Sequence, residues 1–135
     1  MAGQRPSFSV KHVIICDEIR REDTGKLIII GAYADSINVP RLPFDMTLAF
    51  WISIVPKIEG EISCQWRLTH DKAGDLSVSE GTVKLGNVGN ESPLVLRRVP
   101  VQLPKEGILS FQVREGEGRW RTLKKIPILL TPSDS

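Results

Sequence analysis

The sequence predicts an all-β protein: one antiparallel β-sandwich of about eight strands. Three observations carry the prediction. Apolar residues recur with a period of two along most of the chain. Turn-forming residues punctuate it at strand-length intervals. Prolines gather at the borders of apolar runs, where a residue without a backbone N–H does least harm to a ladder. The chain has 135 residues, of which 41% are hydrophobic and 25% charged, enough for a core without disulfide or metal staples. A single domain is expected over 1–135, with an ordered core at about 8–130 and an immunoglobulin-like or C2-like arrangement.

The first strand is expected at 8–16, where Phe8, Val10, Ile14 and Cys16 share a face with His12. Residues 17–22 are too short for a stable helix and read as a helical turn or irregular loop. After a turn at 23–26, the run Leu27-Ile28-Ile29-Ile30 reads as a central strand within 26–38, because both of its faces are apolar. Strand 45–55 places Met46, Leu48, Phe50, Ile52 and Ile54 on one face and Trp51 on the other. Burying both faces requires a cover, from loops or from another subunit. Strand 61–70 alternates most cleanly, with Ile62, Cys64, Trp66 and Leu68 inward, so Trp66 is expected in the core.

Strands 75–85 and 94–103 change phase, around Gly81 and around Arg97-Arg98. One extra residue reverses every later side chain, so each change implies a β-bulge or a change of sheet. Pro100 and Pro127 fall inside apparent strands, which places those segments at sheet edges or splits them. Strand 108–114 carries Leu109, Phe111 and Val113, strand 119–129 closes the domain, and 131–135 reads as a frayed tail.

Between residues 14 and 43 the order of features is specific. Ile14-Ile15-Cys16-Asp17-Glu18-Ile19-Arg20-Arg21-Glu22 precedes Gly25-Lys26-Leu27-Ile28-Ile29-Ile30-Gly31-Ala32-Tyr33, and Val39-Pro40-Arg41-Leu42-Pro43 leads into the next strand. This resembles a family of small uncharacterised bacterial proteins, classed as a domain of unknown function. Its pattern is C/A-[DE]-x-[IVA]-R-x-E followed by G-K-x-x-x-x-G-x-Y. The resemblance covers residues 8–55 well and the rest by strand pattern. It implies a β-sandwich and brings no activity, cofactor or catalytic residue. From the residues alone, Gly25 suits a positive-φ turn and Gly31 a close backbone approach or a kink. Asp17, Arg20 and Glu22 read as a structural polar network, with a recognition surface as the alternative.

The chemistry-bearing residues do not converge in sequence. The histidines are His12, expected in the core or an interface, and His70, expected to be exposed at a strand end. No G-x-S-x-G elbow occurs, and Thr24-Gly25-Lys26 lacks the upstream glycine of a phosphate loop. Asp71 and Asp75 alone are too few for a calcium site. No catalytic, cofactor-binding or metal residue is therefore assigned, and the protein is not expected to be an enzyme. Cys16 and Cys64 are expected to be buried reduced thiols, with a disulfide between neighbouring strands as the alternative. Neither a signal-peptide run nor a bilayer-spanning stretch is found, so a cytoplasmic setting, or export or packaging by a route the sequence does not show, is expected, with no membrane partner.

Net charge is only +2, which argues against nucleic-acid binding by bulk charge. The charge is uneven, however. Residues 97–125 hold Arg97, Arg98, Lys105, Arg114, Arg119, Arg121, Lys124 and Lys125 against Glu106, Glu115 and Glu117. Arg119 and Arg121 are expected on one face of a strand and Trp120 on the other, either in the core or as a stacking platform. Two functions follow. One is an interaction or assembly module, its partner a second copy (a dimer by default) or an unidentified protein. The other is an anion- or single-stranded nucleic-acid-binding protein. The candidate surface is Trp51, Arg114, Arg119, Trp120, Arg121, Lys124 and Lys125.

Overall fold

The structure is a computed structural model that describes residues 6–131. Those residues form β1 (Phe8–Arg21), β2 (Leu27–Ala32), β3 (Ile37–Val39), β4 (Phe44–Pro56), β5 (Gly60–His70), β6 (Gly74–Leu85), β7 (Ser92–Leu103), β8 (Gly107–Glu115) and β9 (Arg121–Leu130), and no helix. Two sheets face each other, one in the order β2-β1-β4-β7 and the other β3-β9-β8-β5-β6. The fold is a β-sandwich. Every pairing is antiparallel except β3 with β9.

Alternation decides which side chains fill the space between the sheets. Leu48, Phe50, Ile52 and Ile54 of β4 meet Cys64, Trp66 and Leu68 of β5 and Leu109, Phe111 and Val113 of β8 in one buried cluster. Its centre is aromatic. Phe50 of one sheet stacks on Phe111 of the other at 4.2 Å, and Trp66 lies 5.7 Å beyond Phe111. A smaller cluster forms on the opposite face of the β4 sheet, where Cys16, Ile19 and Ala49 are buried beneath Leu27, Ile29, Trp51 and Val95. The cover required by Trp51 thus comes, in part, from the chain's own strands.

Several elements differ from expectation, each for a physical reason. Residues 17–21 are neither helical turn nor loop: β1 runs on to Arg21, because β2 offers Leu27–Ala32 as a continuous antiparallel partner. The strand expected at 26–38 is two strands in different sheets, β2 and β3, which raises the total to nine. β2 is an edge rather than a central strand, and Ile28 and Ile30 remain exposed. An all-apolar run reports only that both faces tolerate apolar residues; it does not report a neighbour on both edges. The phase change near Gly81 is no bulge, since Cys64 pairs Gly81 in regular register. Val78 simply points outward, and the register shift lies at Leu76, which has no partner between Ser77 and Asp75. At Arg97-Arg98 the expected bulge is present: Ala49 faces both arginines, and Arg98 takes a φ of +55. Pro100 lies on edge strand β7. Pro127 is in an interior strand, one residue before β3 joins β9. Of the tail expected at 131–135, residues 132–135 lie outside the described part.

Trp66 is only 4% exposed and adjoins the aromatic stack. Trp66→Ala is expected to cost about 3–5 kcal/mol by the cavity it leaves. Urea denaturation monitored by far-ultraviolet circular dichroism measures this, and a loss below about 1 kcal/mol would place Trp66 outside the core.

Candidate interaction surfaces

The most organised polar surface lies on the outer face of the five-stranded sheet. Register puts Arg67 of β5 beside Gln112 of β8, and Gln65 beside Arg114. Each arginine donates through Nε to the neighbouring glutamine, Arg67 to Gln112 and Arg114 to Gln65, both at 2.6 Å. Gln112 donates onward to Thr122 of β9 at 2.8 Å. Trp120, just before β9, lies against this ladder. Its ring centre is 4.1 Å from the Arg67 guanidinium carbon and 4.7 Å from that of Arg114. Asp75 balances Arg67 at 3.6 Å. Trp120 is therefore half-buried on an outer face rather than a core residue. Gln65, Arg67 and Gln112 were missed by sequence reading, because pairing between β5 and β8 is what brings them together.

The basic segment does not form one surface. β9 begins at Arg121, so Arg119 and Arg121 do not share a strand face. Arg121 turns inward, stacks 5.0 Å from the Phe8 ring centre and donates to the Phe8 carbonyl oxygen. Lys124 likewise donates to the Val13 carbonyl oxygen at 3.2 Å. Both tie β9 to β1. Arg97 and Arg98 sit in the β7 bulge on the other sheet. Arg119 and Lys125 are exposed.

Asp17, Arg20 and Glu22 are not one network. Arg20 pairs Glu18 at 3.1 Å, and that hydrogen bond holds the Glu18 carboxyl below its ordinary range. Glu22 instead accepts from Thr24. Asp17 accepts from the Tyr33 hydroxyl. Gly31 lies across from Asp17 with a φ of +68, and a Cβ there would collide with the Asp17 carboxylate. Gly31 and Tyr33 thus share a local cause: glycine makes room for the aspartate, and the tyrosine two residues on binds it. Burial, then the Asp17 hydrogen bond, pushes the Tyr33 phenol upward.

The two histidines exchange their expected places. His12 is exposed at the register shift in β1, 4.0 Å from Glu91. His70 is buried, where Nδ1 accepts from the backbone N–H groups of Lys72 and Ala73 at 3.0 and 3.2 Å, and Nε2 faces the Lys105 carbonyl oxygen at 3.0 Å. Two N–H donors on Nδ1 require the neutral ring with its proton on Nε2. Asp71 lies 3.4 Å from Nδ1 but accepts instead from the Ile108 N–H, which keeps its carboxyl low. His70 organises two turns, and its ring nitrogens are committed to that. His70 should give the Nε2-protonated pattern in a 15N correlation spectrum at neutral pH, and the Nδ1-protonated pattern would contradict these hydrogen bonds.

Hollows on the surface add no convergent chemistry. The apolar space lined by Phe50, Trp66 and Phe111 has a volume of about 10 Å³, too small for a ligand. A wider hollow of about 570 Å³ lies open beside residues 115–118. Its Glu115 already accepts from the Ser7 N–H. Among the described residues, no group of three or more His, Cys, Asp or Glu side chains could hold a metal ion.

Known proteins agree with this geometry at the level of fold. The sequence profile of DUF6941, a family of unknown function, matches residues 11–128. The chain belongs to this family. No curated protein matches it. Among solved structures, this DUF6941 chain is similar to the C-terminal domain of wzt at a TM-score of 0.53 and 11% identity, covering 98% of this chain and 78% of that one. The likeness supports the β-sandwich.

Both thiols are free and buried. Burial raises Cys16, with the Asp17 charge adding to it, and Cys16 donates to the Ala49 carbonyl oxygen. Burial pushes Cys64 from 9.0 to about 11. A thiol raised in the folded state stabilises the fold fully below its unfolded pKa and loses that contribution as pH climbs through the folded value. The stability difference between the native chain and Cys64→Ala is therefore expected to shrink between pH 9 and 11. Urea titrations across that range measure it, and a constant difference would refute the buried-thiol account.

Proposed function

We propose that this DUF6941 protein is a non-enzymatic interaction module that contacts a protein partner through the Trp120 surface and also assembles with itself. The observation that carries the reading is Trp120 held against Arg67 and Arg114 by a glutamine-ordered ladder. Tryptophan and arginine dominate the energetic centres of protein interfaces. Side chains already fixed by hydrogen bonds lose little entropy on binding. Among the described residues Arg114 has no carboxylate within ion-pair distance, so an acidic group on the partner suits it. A cytoplasmic setting belongs to the same proposal, since two free buried thiols suit a reducing compartment.

Binding of an anion or a single-stranded nucleic acid is the second reading. It rests on the exposed Arg119, which adjoins Trp120 in sequence, and the exposed Lys125 of β9, and it is weakened by the inward course of Arg121 and Lys124. Affinity capture from the native host with the wild-type chain, Trp120→Ala and Arg114→Glu tests the first reading. A protein partner retained by the wild type and lost by both folded variants is the expected result. Fluorescence anisotropy with labelled oligothymidine tests the second. Binding with a steep salt slope, abolished by Arg119→Glu with Lys125→Glu, would replace the first reading.

A further inference from the structure

We infer that the β2 edge is a self-pairing surface, on which β2 of a second copy of this chain adds antiparallel about a two-fold axis through Ile29. The inference deepens the self-assembly part of the proposed function and rests on it.

Four edges are open to addition, and three carry a deterrent. β7 holds Pro93 and Pro100, neither of which can donate, and bulges at Arg97-Arg98. β6 holds Asp75, Glu80 and Lys84. β3 has three residues. β2 reads Leu27-Ile28-Ile29-Ile30-Gly31-Ala32, without charge or proline, and leaves Ile28 39% and Ile30 37% exposed.

The choice of a second copy as occupant comes from charge. β1 supplies the strand next to β2, and its segment Asp17-Glu18-Ile19-Arg20-Arg21 is acidic before Ile19 and basic after it. Register sets Ile19 beside Ile29, Glu18 beside Ile30 and Arg20 beside Ile28. A two-fold axis at Ile29 sets Ile28 of one copy beside Ile30 of the other. The central row of the joined sheet then reads Ile19, Ile29, Ile29, Ile19. The rows on either side run from Arg20 across Ile28 and Ile30 to Glu18 of the second copy. The next rows run from Arg21 to Asp17 in the same sense. Every charged row thus joins a cation to an anion, with uncharged residues between them. Arg20 and Glu18 stand about 14 Å apart at Cα across three strand spacings. Within one copy Arg20 and Glu18 pair with each other at 3.1 Å, and in the dimer their long side chains would turn across the isoleucines to shorten that span. A parallel addition would instead set acid rows against acid rows.

A six-residue edge is about 20 Å long and buries less than the roughly 1,200 Å² of a stable interface. The dimer is therefore expected at micromolar and higher concentrations. Sedimentation equilibrium on the full chain, from micromolar to millimolar, tests it at low and high salt. Variants are Ile30→Lys, Glu18→Arg, Arg20→Glu and the double variant E18R/R20E, each checked for fold by circular dichroism. The expected result is a concentration-dependent dimer weakened more than about tenfold by Ile30→Lys. Each single charge reversal weakens it at low salt, and the double exchange restores it, because the rows again join opposite charges. A dimer unaffected by Ile30→Lys would overturn the β2 surface while leaving self-assembly standing elsewhere. A monomer at every concentration would overturn self-assembly itself, and the Trp120 partner experiment would still decide the rest. Single reversals without effect at low salt would overturn the Ile29 axis.

Discussion

The stack of Phe50, Phe111 and Trp66 is the contact on which the rest of this molecule depends. It joins the two sheets at their centre, and its rings are nearly parallel, at 13° and 12°. Aromatic pairs of this kind add to the area they remove from water. Fixing Phe50 against Phe111 fixes the phase of β4 and β8, and through their registers that of β1, β7, β5 and β9. A one-residue slip at either strand would turn the core outward. The same phase puts Arg67, Arg114 and Trp120 on the outer face of their sheet, so the candidate surface is a consequence of the core.

Charge in this chain is arranged by pairing between strands more than by sequence. Residues 97–125 look like a basic segment, yet Arg121 and Lys124 act as clamps from β9 to β1. Each long side chain reaches a backbone carbonyl of β1, and the Arg121 guanidinium lies over the Phe8 ring. Arg67 and Arg114 come from separate stretches of sequence and converge only because β5 and β8 are adjacent. A count of charges along the chain gave a patch that the fold disperses, and it named Arg114 and Trp120 but not the Arg67 that the fold sets beside them.

The Asp17, Gly31 and Tyr33 constellation shows how a short pattern can be both legible and misassigned. Gly31 was legible as a close approach or a kink, because glycine within a strand has few other uses. Its partner was not, since Asp17 meets Gly31 only when β1 continues through residues that look like a turn. Arg20 and Glu22 then fall to different neighbours, Glu18 and Thr24. The histidines failed for a related reason. His70 shares the inward phase of Cys64, Trp66 and Leu68, and that alternation pointed inward through its last residue. Its polarity argued for solvent, while the backbone groups of two turns supplied the partners that burial demands.

By itself the sequence determined that this chain is a β-sandwich and which apolar residues of β4, β5 and β8 face the core, and it marked Arg97-Arg98 as a bulge or a change of sheet. These follow from period two and from the steric and hydrogen-bonding limits of single residues, which act locally. Only the tertiary structure decided that β2 is an edge, that residues 26–38 divide between two sheets, and that Trp120 stacks outside the core. Those are facts about neighbours distant in sequence. An apolar run such as Leu27-Ile28-Ile29-Ile30 is equally at home with one flanking strand or two, and the choice is made by the strands available to pair with it.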